Sequence, residues 1–399
     1  MRRAAVVPPG ASPPHRARST WASVGEDANM THPIRRIGVL TSGGDAPGLN
    51  AVIRAVVKTA SNGYGWTVAG IESGFEGLIG KPRVRPLDLA AVSGLLPRGG
   101  TILGSTNKGH FAPVPTNGES YRDPGPYKEL AANVRRLAID ALVIIGGEGS
   151  QGIACELSKY GVRAMGVPKT IDNDLYGCDQ TFGFDTALTV ATEAIDRLHT
   201  TAASHDRVMV LEVMGRDTGW IALHSGIGGG ADIILVPEIP FTVEAVANKV
   251  LTREYQGSNF SIIVCSEGAQ EAGSGQIYQE TTGTLGGVGA YVASRVAKTT
   301  GKDARVVVLG HLQRGGMPSP FDRILATSFG AAAVHALAEG HYGEVVVMSK
   351  GEITTISMLE CAGRTRFVPV DHEIVRAARG LGIGFGDEDE SELTPESLD

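Results

Sequence analysis

A chain of 399 residues with 42% hydrophobic and 20% charged residues holds enough apolar material for two domains or one large split one. Its net charge of -7 at pH 7 argues against a nucleic-acid surface, yet leaves room for an anionic small molecule held by a local arginine cluster. No apolar run approaches about 18 residues, so no membrane span is expected; four scattered cysteines (Cys155, Cys178, Cys265, Cys361) suggest neither disulfides nor zinc, and fit the reducing cytoplasm.

Residues 1–33 are rich in Pro, Arg and Ala and lack hydrophobic periodicity. They are expected to be a disordered arm, or to reflect a start set too far upstream, since Met30 stands just before the first strand. A targeting peptide is the alternative. Residues 36–40 form a short apolar strand running into Thr41-Ser-Gly-Gly-Asp-Ala-Pro-Gly48, then a helix over 49–60. Strand, glycine loop, helix is a phosphate-binding layout, because free backbone N–H groups and the positive helix end face an anion. No Gly-Lys-Ser/Thr follows, so it is not a Walker A loop; a tight structural turn is the plainer alternative.

Residues 98–109 are polar, Gly-rich and too irregular for an element, and read as a long surface loop. Residues 113–126 read as an excursion. Ala141-Leu-Val-Ile-Ile145 is a strand covered on both faces, ending in a second glycine loop, Gly146-Gly-Glu-Gly-Ser150. Glu148 is the only charge there. A carboxylate beside phosphates suggests a Mg²⁺ ligand, and the alternative is a helix N-terminal charge.

The apolar run 164–167 leads into Val167-Pro-Lys-Thr-Ile-Asp-Asn-Asp174. Asp and Asn are rare inside strands, so Asp172, Asn173 and Asp174 belong to the loop past a strand's C-terminal end, where open α/β sheets bind ligands. A carboxylate held there suits a general base; an Asx-rich turn is the alternative. A helix over 185–203 follows, with Leu188, Ala191, Ile195, Leu198 and Ala202 on one stripe. His199 and His205 near its end read as structural or surface residues. Further strands are expected at 207–213, 233–236, 260–265 and 305–309, a helix at 321–339, and a last core strand at 345–348. The glycine pattern 226–231 mimics a dinucleotide fingerprint but follows a helix-like segment, and is discounted. The acidic run from residue 387 reads as a solvated, disordered tail.

Strand and helix alternate throughout, which implies α/β layers with largely parallel sheets. The loops bring backbone donors (Gly43, Gly44, Gly147, Gly149, Ser150), a carboxylate for a cation (Glu148), cationic groups for a second phosphate (Arg207, Arg216, Arg305, His311, Arg314) and a base (Asp172). That inventory matches phosphoryl transfer, which needs positioning and charge neutralisation more than covalent help.

Five stretches in order resemble the 6-phosphofructokinase family: residues 38–50, Gly146-Gly-Glu-Gly-Ser150, Pro168-Lys-Thr-Ile-Asp-Asn-Asp174, Met214-Gly-Arg216 and Gly310-His-Leu-Gln-Arg-Gly-Gly316. The resemblance implies two similar Rossmann-like αβα lobes with the active site in the cleft between them. Residues 34–183 plus 313–363 would form the nucleotide lobe, and 184–312 plus 364–386 the sugar-phosphate lobe. It implies ATP with Mg²⁺ as donor, fructose 6-phosphate as acceptor, and Asp172 as the base for the sugar 1-hydroxyl, with Thr170, Lys169 and Arg216 beside the transferred group. Gly44, Asn107, Lys108, Gly147, Glu148, Gly149 and Ser150 would hold the nucleotide, with Glu148 toward Mg²⁺. Ile171, Met214, Gly215, Glu267, His311, Leu312, Gln313 and Arg314 would contact the sugar phosphate. Arg207 and Arg305 would reach into a neighbouring subunit of a homodimer or homotetramer.

The chain departs from the family pattern at three places. Glu148 stands where many members have Asp, and Asn107-Lys108 where many ATP users have Arg and an aromatic. The donor signals are mixed: Lys169 resembles the lysine of pyrophosphate-using relatives, whereas Gly149 stands where those relatives usually carry Asp. A carboxylate there would crowd and repel the α-phosphate, so Gly149 outweighs Lys169 and ATP is the expected donor. The alternatives are the pyrophosphate-dependent enzyme and a silent phosphosugar-binding regulatory subunit, against which stand the acidic Asp172 and Glu148.

Overall fold

The computed structural model describes residues 33–106, 109–111, 114–116, 119–121, 123–278, 283 and 285–388. All of the expected arm (1–33) but Pro33, the bulk of the acidic tail (389–399), Asn107 and Lys108 lie outside them. No helix among the described residues is long and apolar enough to cross a membrane.

In chain order the strands are β1 (Arg36–Thr41), β2 (Thr67–Ile71), β3 (Val84–Leu87), the hairpin β4 (Val114–Thr116) and β5 (Glu119–Tyr121), β6 (Ala141–Gly146), β7 (Ala164–Pro168), β8 (Val208–Val213), β9 (Ile233–Leu235), β10 (Ser261–Ser266), β11 (Ala304–Val308), β12 (Glu344–Ser349) and β13 (Glu352–Ser357). The helices are α1 (Leu49–Tyr64), α2 (Pro124–Arg136), α3 (Glu148–Ser158), α4 (Phe184–His205), α5 (Trp220–Gly228), α6 (Val243–Tyr255), α7 (Val288–Thr300), α8 (Pro320–Ala338), α9 (Met358–Cys361) and α10 (Glu373–Gly380).

Two sheets carry the molecule. The larger runs β13-β12-β7-β6-β1-β2-β3, and the smaller β11-β8-β10-β9. β12, β7, β6, β1 and β2 are parallel, as are all four strands of the smaller sheet; β3 and β13 close the larger sheet as antiparallel edges. The fully buried runs of β6 and β7 explain this, since a strand apolar on both faces needs helices on both sides. Each sheet has its own apolar core, and the smaller sheet has a separate cluster on each face.

Register decides where ligands can sit. Thr41 pairs beside Ile145, and Gly146 beside Pro168, so the loops after β1, β6 and β7 leave the sheet at one level. From β1 the chain crosses through α1 to β2 on one side, while β6 lies on the other. The crevice at such a reversal is where open α/β sheets bind ligands.

Residues 345–348 belong to β12, the expected last core strand, and β13 follows it as an exposed edge. Its sequence, Glu-Ile-Thr-Thr-Ile-Ser, is half exposed and too polar to read as core. Residues 310–314 are not an open loop but a turn of 3-10 helix. The discounted glycine pattern at 226–231 begins inside α5.

Candidate functional site

A cavity of about 540 Å³ opens at the aligned strand ends. The larger sheet contributes Ser42, Gly43 and Gly44 after β1, Gly147, Glu148, Gly149 and Ser150 after β6, and Lys169, Thr170, Asp172 and Asp174 after β7. Arg216 lines it from the loop after β8, and Arg314 from the 3-10 turn after β11. Phe75, Glu76, Thr106, Gly109, Phe111 and Ile153 complete the wall.

The glycine loops leave backbone donors facing the cavity. α3 begins at Glu148 with no side-chain cap on Gly147, which leaves first-turn N–H groups for an acceptor from outside. A Cβ on Gly149 would meet nothing within 4 Å, so the absence of a side chain there is open space. Gly43 has φ +79°, and its carbonyl accepts from the Ser105 hydroxyl. Glu148 Oε1 accepts from the Gly363 N–H at 2.8 Å, which fixes the carboxylate at the rim.

The loop after β7 turns on Asn173, a non-glycine residue in the left-handed region at φ +53°. Its side chain points into the loop: Oδ1 accepts from Thr181 N–H at 3.0 Å. That reversal lets both neighbours, Asp172 and Asp174, line the cavity. Asp172 is buried, its backbone N–H donates to Thr170 Oγ1 at 3.0 Å, and its Oδ1 is buried without a hydrogen-bond partner among the described residues. Burial, reinforced by the nearby Asp174 carboxyl, pushes Asp172 up to about 7. Burial also raises Asp174. Lys169 is buried and donates to the Gly44 carbonyl; burial and then Arg314 pull its ammonium down to about 8.

On the smaller sheet's side, Arg216 has φ +54°, and its N–H donates to Glu267 Oε1 at 3.1 Å. Burial raises the Glu267 carboxyl. Arg314 donates to the Asp45 carbonyl at 2.9 Å.

Of the residues expected at the site, Gly44, Gly147, Glu148, Gly149, Ser150, Lys169, Thr170, Asp172, Arg216 and Arg314 line one cavity. Met214, Gly215, Glu267, His311 and Leu312 do not line it, although Glu267 braces the Arg216 backbone. The Ile171 side chain is buried in the smaller sheet's core, so only its backbone is left for a ligand. Gln313 is fully buried and accepts from the Met214 N–H at 2.8 Å, which makes it a brace for that loop. Arg207 and Arg305 stand at the opposite, N-terminal ends of β8 and β11, and both pair with Asp303. His199 Nε2–H donates to the Gly229 carbonyl at 2.7 Å, a structural contact. Phe75 and Glu76 lie in the 3-10 turn Gly74–Leu78 after β2, where no sequence motif marks them as site residues. Asp174 was visible in the row of acids but not separated from Asn173.

A family model described as Phosphofructokinase matches residues 36–337. The chain belongs to the phosphofructokinase family. It is 60% identical over 359 residues to a protein named ATP-dependent 6-phosphofructokinase from Chloroflexus aurantiacus, covering 90% of this chain and 100% of that one. It is also 48% identical over 343 residues to the Pyrophosphate--fructose 6-phosphate 1-phosphotransferase of Amycolatopsis methanolica, covering 84% of this chain and 96% of the relative. Among solved structures it resembles the phosphofructokinase of Pichia pastoris, with a TM-score of 0.73 and 32% identity over 86% of this chain. It spans only 37% of that longer yeast chain.

Proposed function

We propose that this chain is an ATP-dependent 6-phosphofructokinase that moves the γ-phosphoryl of ATP to the 1-hydroxyl of fructose 6-phosphate. The observation that carries the reading is Asp172: a buried carboxylate whose Oδ1 has no partner among the described residues, lining the same cavity as two glycine loops and two arginines. The 60% identical relative named for this activity supports it.

In the proposed reaction Asp172 accepts the proton of the sugar hydroxyl as its oxygen bonds to the γ-phosphorus, while the bond to the ADP oxygen breaks. Burial tunes this base toward neutral pH, where it is partly ionised and still basic enough to take the proton. The backbone of Gly44, Gly147, Gly149 and Ser150 binds the polyphosphate, and Lys169, Arg216 and Thr170 neutralise and orient the moving group. The donor set fits Mg²⁺ held by one carboxylate, Glu148, together with nucleotide phosphates and water. When bound, the ion would offset phosphate charge. We assign the larger sheet's lobe to the nucleotide and the smaller sheet's lobe to the sugar phosphate, with Arg314 and the exposed His311 and Leu312 nearest its phosphate.

Arg207 and Arg305 face away from their own cavity, which fits their reaching a neighbouring subunit's site in a homodimer or homotetramer. The exposed Val306 and Val308 on the edge strand β11 suit such an interface. A glycolytic role places the enzyme in the cytoplasm.

The second reading is pyrophosphate as donor, favoured by Lys169 and by the 48% identical relative of that name. Purified protein supplied with each donor separately decides: turnover with ATP is expected, and turnover with pyrophosphate alone overturns the choice.

A further inference from the structure

The catalytic loop is held from outside by a segment beyond the family match, which ends at residue 337. Residues 363–368 run across its back. Gly363 N–H reaches Glu148 Oε1 at 2.8 Å, Thr365 bridges Leu175 in antiparallel fashion, and Val368 N–H reaches Glu238 Oε1 at 2.9 Å. At the centre is Arg366. Its backbone N–H donates to the Asp174 carbonyl at 2.8 Å, and its guanidinium donates to the Asn173 carbonyl at 3.0 Å. One residue therefore holds two successive carbonyls of the loop.

Arg366 is itself locked. Its guanidinium lies over the Trp220 ring, 4.0 Å from the centroid, and its carbonyl accepts from Trp220 Nε1–H at 2.8 Å. Trp220 is buried and opens α5, just past the loop that carries Arg216. The half-buried guanidinium forms no ion pair with a carboxylate among the described residues. Its hydrogen bond goes instead to the carbonyl of Asn173, the loop's non-glycine residue in the left-handed region. A non-glycine residue stays at such a φ only when its surroundings over-determine it. Here the Asn173 side chain fixes one side and Arg366 the other, and the reversal between them sets the directions of Asp172 and Asp174.

We infer that residues 363–368 are a strap that positions the catalytic loop, with Arg366 as the positioning residue that keeps Asp172 and Asp174 aimed into the cavity. The inference rests on the catalytic role proposed for Asp172. Arg366 touches no substrate; it acts through the loop backbone, so its loss misplaces the base while leaving the phosphate cradle of the glycine loops intact.

The test compares Arg366→Met, Arg366→Lys, Arg364→Met and Asp172→Asn in the full-length enzyme. Arg366→Met keeps a long stem over Trp220 but removes the donor to Asn173. Its kcat is expected to fall about tenfold or more, with both KM values within about threefold of wild type. Native-state hydrogen exchange of peptides covering residues 170–176 should speed up, and Arg366→Lys should recover part of both losses. Arg364 stacks over Tyr176 at 3.5 Å without bonding the loop backbone, so Arg364→Met should stay within about twofold of wild-type kcat. A folded Arg366→Met enzyme with wild-type kcat and unchanged exchange overturns the strap. If that variant does not fold, Arg366→Lys carries the test: reduced kcat with unchanged KM supports the strap, and wild-type behaviour overturns it. Full turnover by Asp172→Asn instead sinks the catalytic reading, and the exchange data then judge the strap alone.

Discussion

The ammonium of Lys169 donates to the main-chain carbonyl of Gly44, joining the loop after β7 to the loop after β1 across the floor of the cavity. Burial holds its pKa near 8, so the positive charge is present at neutral pH and lost as pH rises past that value. Lys169→Met should lower kcat/KM roughly 10²-fold, in the range of a lost transition-state donor. The alkaline limb of the pH–rate profile near pH 8 should vanish with it. A variant that keeps that limb assigns the titration to another group.

As the proposed base, Asp172 would make opposite demands on activity and stability. Its pKa of about 7 means that kcat/KM should rise with pH through neutrality, and Asp172→Asn should reduce kcat by about 10²-fold or more while fructose 6-phosphate still binds. The folded state holds a proton that the unfolded chain releases at ordinary carboxylate pH. The stability linked to that proton is present in acid and lost as pH rises through about 7. Asparagine cannot ionise. The Tm difference between Asp172→Asn and wild type should therefore shift in favour of the variant by about 3 °C or more between pH 5 and pH 8. A difference that does not change with pH would mean the carboxyl is not raised.

The strands of both sheets were legible where apolar runs were long and buried on both faces, as in β6, β8 and β10. The site was legible for the same reason: Asp, Asn and Gly at the ends of such runs have no business inside a strand. What stayed hidden was short or locally polar. β2 is a Thr-Val-Ala-Gly-Ile run diluted by small residues, and β13 sets two adjacent Thr between its isoleucines on an exposed edge, so neither carries a strong period. Gln313 read as one more ligand in a motif, whereas its amide is turned inward to Met214, a tertiary contact across 99 positions that no local pattern encodes. Arg366 was invisible for the same reason, because its partners lie at residues 173, 174 and 220.

Gly149 separates steric from electrostatic effects. Apart from its chain neighbours and its own helix backbone, no atom of the described residues lies within 4 Å of a Cβ built there, so Gly149→Asp should fold with a Tm within about 2 °C of wild type, as expected of an unconstrained surface change. The added carboxylate would meet the nucleotide phosphates, and kcat/KM for ATP should fall about 10²-fold or more. Steady-state kinetics with ATP and with pyrophosphate check both halves. A Gly149→Asp enzyme that uses ATP normally removes this position from donor choice.

Arg305 and Val308 lie on the same edge strand, one pairing with Asp303 near its start and the other 53% exposed at its end. An edge with bare valines invites pairing with a second chain, and the arginine would then be carried toward that chain's cavity. Arg305→Ser should raise the KM for fructose 6-phosphate about tenfold, the cost of one charged hydrogen bond, with assembly size unchanged in sedimentation. Val308→Asp should instead shrink the assembly and raise the same KM, because the neighbour's arginine is lost together with the interface. A Val308→Asp monomer with wild-type affinity for the sugar phosphate would show each subunit's site to be complete without its neighbour.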